Sequence, residues 1–189
     1  MFRPLRVLVL LVAIAGAPAL AQDGRELTEE ARKQYSAGLK EASALVKDRQ
    51  FENAQKKLDA LLLQRPREPQ ARFLKGVVET EKGRTDAAIS VFRALIEDYP
   101  ELPEPYNNLA VLYAQKGDFN GARLALETAI RTAPDWPVAH ENLGDVYVRL
   151  AAAEYDRAAK LDRDNKTAPA KLLLARDLLA PGTPGKPRS

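Results

Sequence analysis

The chain has 189 residues, 46% of them hydrophobic, which is enough apolar content for one packed domain of ordinary size. Its 29 Lys and Arg against 26 Asp and Glu leave a net charge of +3, too small and too scattered for the clustered basic face that nucleic-acid binding requires. Cysteine is absent and histidine occurs once, which excludes a disulfide framework, Cys/His nucleophile pairs and His-rich metal sites.

The segment from Met1 to Ala21 differs in character from the rest. Arg3 and Arg6 accompany a short start, Val7 to Ala15 is continuously apolar, Gly16 and Pro18 break the run, and Ala19-Leu20-Ala21 supplies small side chains. That order predicts a secretory signal peptide cleaved near Ala21, and so a soluble mature chain in the periplasm or outside the cell. The alternative is a retained anchor. Even Leu5 to Ala21 falls short of the roughly 18 to 20 apolar residues that span a bilayer, and no later segment is apolar enough. Removal of Arg3 and Arg6 leaves 27 basic against 26 acidic residues, so the mature body is near neutral.

A first helix is predicted to begin after Thr28, with Glu29 and Glu30 where acids favour the helix dipole, and to run to about Asp48. Helices then follow near 51–64, 69–82, 86–98, 104–116 and 119–132. Pro69 and Pro105 fall at helix starts, where a missing N–H is harmless. Gly83-Arg84-Thr85-Asp86 and Gly117-Asp118 separate paired helices, with Thr85 and Asp118 as candidate caps.

These pairs recur. Pro66, Pro100 and Pro134 are evenly spaced, and the same interval separates Ala54, Ala88 and Ala122; Leu58, Phe92 and Leu126; and Ala42, Gly76, Ala110 and Gly144. The small residues let the two helices of a hairpin approach closely, the large apolar ones fill the space between hairpins, and each proline stops a second helix. Tyr113 and Tyr147 occupy equivalent positions, where burial accounts for them.

The fourth unit departs from the pattern. Tyr155 follows Tyr147 too soon for a turn and a second helix to fit the interval, and Val148 to Tyr155 holds no Gly, Pro or Asn to reverse the chain. One continuous helix is predicted from about Val138 to Leu161, roughly 36 Å long. It would leave Tyr155, Ala158 and Leu161 without a partner in their own unit. Two covers are open: a last helix, Ala168 to Leu179, through Leu172, Leu173, Leu174, Leu178 and Leu179, or a second copy of the protein. The Pro- and Gly-rich segment from Pro181 to Ser189 reads as a disordered tail.

The pattern resembles the tetratricopeptide repeat, carried by Leu109-Ala110, Tyr113, Ala122, Leu126, Ala129 and Pro134 in the third unit and by Leu143-Gly144 and Tyr147 in the fourth. The resemblance covers about residues 35 to 163. The second unit departs from it at Lys75 and Glu79, and the first at Gly38, Glu41 and Leu45. It implies an all-α, right-handed superhelical solenoid of helix hairpins, with units at about 35–66, 69–100, 103–134 and a shortened 137–163, then a capping helix over 168–179. The whole repeat domain spans 22–180.

The resemblance also implies a concave groove lined by the first helix of each unit. The positions that would face it are Leu39, Ser43 and Lys47; Phe73, Val77, Thr80 and Glu81; Asn107, Val111, Ala114 and Gln115; and Glu141, Asp145, Val148 and Arg149. Asn108 falls at the groove edge or in the packing between units. This mixture suits an extended peptide or a partner helix. The clamp for chaperone-tail carboxylates found in some members is not matched: Phe73, Val77, Asn108, Val138 and Asn142 stand at its positions, and only Asn108 fits.

Catalytic signals are missing. His140-Glu141 has Gly144 where a zinc helix needs its second histidine, no Gly-rich phosphate loop occurs, and no cofactor is implied. Trp136, between two prolines, suits the junction of two units. The sequence therefore points to a non-catalytic scaffold that binds a protein or peptide in its groove, in envelope assembly or quality control. The alternative is a structural protein that homodimerises through the fused fourth-unit helix.

Overall fold

A computed structural model describes residues 28–180, which form eight helices and no strand. The expected signal peptide and the C-terminal tail lie outside the described residues. The helices are α1 (Glu29–Lys47), α2 (Phe51–Gln64), α3 (Pro69–Glu81), α4 (Thr85–Asp98), α5 (Pro103–Gln115), α6 (Phe119–Thr132), α7 (Pro137–Leu161) and α8 (Thr167–Leu179).

Local chemistry sets the helix ends. Thr28 Oγ1 accepts from the Ala31 N–H at 3.2 Å and Asp118 Oδ1 accepts from the Gly121 N–H at 2.8 Å, each satisfying a donor that a helix start leaves open. Thr85 does not cap; it is the first residue of α4, after Arg84. Pro69, Pro103 and Pro137 begin α3, α5 and α7, so Pro103 rather than Pro105 takes the first helical position.

The turns inside the hairpins repeat as well. Gly83 (φ 72°) and Gly117 (φ 80°) take the left-handed conformation, and Arg49, one repeat before Gly83, is forced into it at φ 58°. The next member of that series is Ala151. It sits inside α7, where alanine favours continued helix and supplies no left-handed reversal. The loss of this one turn accounts for the 25-residue helix, about 37 Å at roughly 1.5 Å per residue.

The core runs along the series of spaced small and large residues. Ala42, Ala54, Leu58, Ala88, Phe92, Ala110, Ala122 and Leu126 are fully buried. Gly76 shows why the slot is small: a Cβ there would stand 2.5 Å from Phe92 Cε1. Trp136 packs half-buried against the core at the junction of the third and fourth units. Units are also tied by polar contacts, with Tyr99 Oη donating to the Arg67 carbonyl at 2.6 Å and Lys75 paired to Asp59 at 2.7 Å. Glu79, one of the departures in the second unit, is buried and paired with Arg84 at 2.7 Å.

Each hairpin (α1/α2, α3/α4, α5/α6) packs on the next, and the first helices also touch in succession, α1 on α3 and α3 on α5. That arrangement puts the first helices on the inside of a superhelical solenoid and the second helices outside.

The fourth unit has no second helix, and its surface shows it. Gly144 occupies the slot of Gly76, yet among the described residues no heavy atom comes within 4 Å of the place a Cβ would take. Tyr147, expected to be buried, is 48% exposed, its hydroxyl 3.2 Å from Glu127 Oε1. Helix α8 folds back on α7. Its contact stripe is Ala168, Leu172, Ala175 and Leu179 rather than the five leucines expected, while Leu173, Leu174 and Leu178 are exposed. At about 100° per residue Leu173 and Leu174 fall on the far side of α8 and Leu178 on its flank, and the alanines let the two helices approach closely. Leu161 is likewise exposed, whereas Tyr155 and Ala158 are half-buried and the Lys171 ammonium lies 5.7 Å from the Tyr155 ring. Asn165 precedes α8, its Oδ1 accepting from the N–H groups of Thr167 and Ala168 at 3.1 and 2.9 Å.

Candidate functional site

The inside of the array is formed by one stripe from each first helix, because residues three or four apart share a helix face. The residues expected on it are Phe73, Val77, Thr80 and Glu81 on α3; Asn107, Asn108, Val111 and Gln115 on α5; and Glu141, Asp145 and Arg149 on α7. They differ sharply in exposure.

Phe73, Val77 and Val111 belong to the buried core, and the Phe73 ring lies 5.7 Å from that of Phe92. Their expected place at the groove surface is therefore taken up by packing, since first helices that touch one another turn these residues into the seam. Asn107 and Asn108 are also buried. Asn142 Nδ2 donates to Asn107 Oδ1 at 2.8 Å, joining α7 to α5, and Asn108 Nδ2 donates to the Glu104 carbonyl at 2.9 Å.

The remaining members are polar and more exposed. Thr80 is half-buried and its hydroxyl donates to the Gly76 carbonyl at 2.9 Å. Glu81 is 3.6 Å from Arg49 Nη1. Gln115 is exposed at the end of α5, and Glu141, Asp145 and Arg149 are half-buried on α7. Arg149 Nη1 donates to the Asp145 carbonyl at 3.0 Å; burial pushes its pKa down, and the Asp145 carboxylate opposes that shift.

Sequence reasoning missed Glu104. It precedes Asn107 and Asn108 by three and four residues and so shares their stripe. Burial raises its pKa above the usual carboxylate range, partly offset by its own backbone N–H. Among the described residues, Glu104 Oε2, Asn107 Nδ2 and Asn108 Oδ1 have no hydrogen-bond partner. Spacing could have pointed to the residue, but its unmet oxygen depends on tertiary surroundings.

A separate cleft of about 260 Å³ opens where α8 lies along α7, with Phe119, Ala152 and Leu179 on its apolar side and Arg149, Asp156 and Arg176 on its polar side. No group of three or more residues able to hold a metal occurs among the described residues. His140 Nε2 is 2.7 Å from the Pro134 carbonyl, a local contact at the start of α7. No helix among the described residues is long and apolar enough to cross a membrane.

Two family profiles, both described as tetratricopeptide repeat, match residues 39–103 and 79–143. No curated protein matches. Among solved structures, the chain is similar to Naa15/Naa10 bound to HypK-THB, at 14% identity and a TM-score of 0.56, over 77% of this chain and 23% of that one. It is similar to YrrB, a protein with this repeat and an unusual peptide-binding site, at 28% identity and a TM-score of 0.52, over 57% of this chain and 55% of that one. The Yersinia enterocolitica type III secretion chaperone SycD, in complex with a peptide of the translocator YopD, matches at 17% identity and a TM-score of 0.57, over 66% of this chain and 98% of that one. The chain thus spans about a quarter and about half of the first two.

Proposed function

This chain belongs to the tetratricopeptide repeat family, and on that basis we propose that it is a non-catalytic adaptor holding an extended segment of a partner protein along the inner faces of α3, α5 and α7. The observation that carries the reading is the polar character of the inner stripe at α5 and α7. Buried amides at Asn107 and Asn108 each keep one atom unmet on a face where packing alone would favour apolar side chains. Amide side chains in such a position match the alternating carbonyls and N–H groups of an extended backbone, and the rim formed by Thr80, Gln115, Glu141, Asp145 and Arg149 supplies side-chain contacts. The peptide held by SycD and the peptide-binding site of YrrB support the same reading. Export rests on the order of basic, apolar and small residues over 1–21, and with it comes a place in envelope assembly or quality control.

The test is partner recovery from an envelope extract. Thr80→Arg combined with Gln115→Arg places two bulky cations on the inner rim; Leu124→Arg, on the exposed side of α6, is the control. The inner pair is expected to abolish recovery of a specific partner and the control to leave it intact. Undiminished recovery with the inner pair contradicts the reading.

A second reading is self-assembly, favoured by the open Leu173, Leu174 and Leu178 on α8 and by the uncovered Gly144 and Tyr147 on α7. Sedimentation decides it: a monomer at micromolar concentration rules against a homodimer.

A further inference from the structure

The three unmet atoms on α5 belong to residues within about one turn of one another, and both amides are held in place by the other half of their own group. Asn107 Oδ1 is engaged by Asn142 at 2.8 Å, which fixes the amide and leaves Nδ2 as an unused donor. Asn108 Nδ2 is engaged by the Glu104 carbonyl at 2.9 Å, which leaves Oδ1 as an unused acceptor. Glu104 Oε2 is a buried carboxylate oxygen without a hydrogen bond, and no ion pair among the described residues includes Glu104. A buried acid without a cation is costly, so what occupies this place ought to bring one.

We infer that this end of the groove selects a lysine or arginine of the bound segment, its side-chain cation donating to Glu104 Oε2 and its backbone carbonyl accepting from Asn107 Nδ2. The inference rests on the groove reading above and names what the groove prefers. One basic residue carries both groups, a cation on a flexible stem and a carbonyl at its root. A neutral side chain would satisfy Asn107 and leave Glu104 unpaired, and an acidic one would add repulsion. Glu104 is half-buried and Asn107 fully buried, so both contacts require the Glu104 carboxylate to swing outward onto the incoming cation. The competing account is that Glu104 and Asn107 hydrogen-bond each other in solution, which would leave the groove indifferent to charge.

The experiment measures binding of the whole chain to three fluorescein-labelled nonapeptides by fluorescence anisotropy. The peptides share an extended Val/Ser sequence and differ only in a central Lys, Gln or Glu. The Lys peptide is expected to bind about tenfold more tightly than the Gln peptide, the scale of one charge-assisted contact, and the Glu peptide most weakly. Glu104→Gln should erase the difference between Lys and Gln while binding of both persists, and Glu104→Asp should keep part of it. Equal binding of all three, or a Lys preference that survives Glu104→Gln, overturns the inference and leaves the groove reading standing. Binding unaffected by Thr80→Arg with Gln115→Arg, or no binding of any peptide, overturns both. Glu104→Gln removes a buried acid, so its thermal melt should show a folded protein.

Discussion

The same repeat slot is occupied by glycine at 76 and at 144, and the two should respond to Gly→Ala with opposite signs. At Gly76 the new methyl would stand 2.5 and 2.6 Å from Cε1 and Cζ of Phe92, a ring that is wholly buried and tilted against Phe73. The ring has nowhere open to move, and overpacking of this kind costs about 1–3 kcal/mol. Replacing glycine within a helix returns about 0.5–1 kcal/mol, so Gly76→Ala should lose about 1–2 kcal/mol net. At Gly144 the place for the methyl is empty among the described residues, and only the helix gain remains, about 0.5–1 kcal/mol of added stability. With a shift of about 2–4 °C per kcal/mol for a domain of this size, Gly76→Ala should melt about 2–8 °C lower and Gly144→Ala about 1–4 °C higher. Urea titration with matched m-values gives the free energies directly. Comparable losses at both positions would refute the reasoning, because a second helix, from this chain or another copy, would then lie against Gly144.

Three other sets of substitutions probe separate parts of the account. Ala151→Pro falls inside α7 and should cost about 3 kcal/mol with a visible loss of helical circular dichroism; a cost below about 1 kcal/mol would mean that the chain turns there. On α8, Leu179→Ala should cost about 2–4 kcal/mol because the side chain is buried, whereas Leu174→Gln should stay within about 0.5 kcal/mol; similar effects would reverse the face assigned to the helix. Glu104, whose pKa is raised by burial, binds its proton more tightly in the native state, so its stabilising effect is present at low pH and is lost as pH rises through the raised native value. Glu104→Gln should therefore be more stable than the parent at neutral pH, with the gap closing below the ordinary carboxylate range. A gap that stays constant across the denaturation series would show that Glu104 titrates as a solvated acid.

Helix order was readable because prolines and glycines mark the ends of each hairpin at fixed intervals, and backbone geometry leaves those residues few alternatives. The fused helix was readable for the complementary reason: nothing between Val148 and Tyr155 can reverse the chain. Arg49 was not, since a left-handed arginine is recognisable only when the repeat geometry imposes Gly83's conformation upon it. The orientation of α8 escaped as well. Its leucines lie on more than one side of the helix, and two small alanines decide which side approaches α7. At the site, the stripe positions came from the family resemblance, and which of those residues are buried and which exposed depended on how closely the first helices meet. Phe73, Val77 and Val111 went to the core for that reason, and Glu104 emerged only with its unmet oxygen.

Site-specific photo-crosslinking tests most directly whether the inner face is where a partner lies. A benzophenone amino acid at Gln115, exposed at the end of α5, is compared with one at Leu63, exposed on α2. The account predicts one dominant crosslinked partner from position 115, displaced by excess of the Lys nonapeptide, and none from position 63. A dominant adduct from position 63 with nothing from position 115 would contradict it.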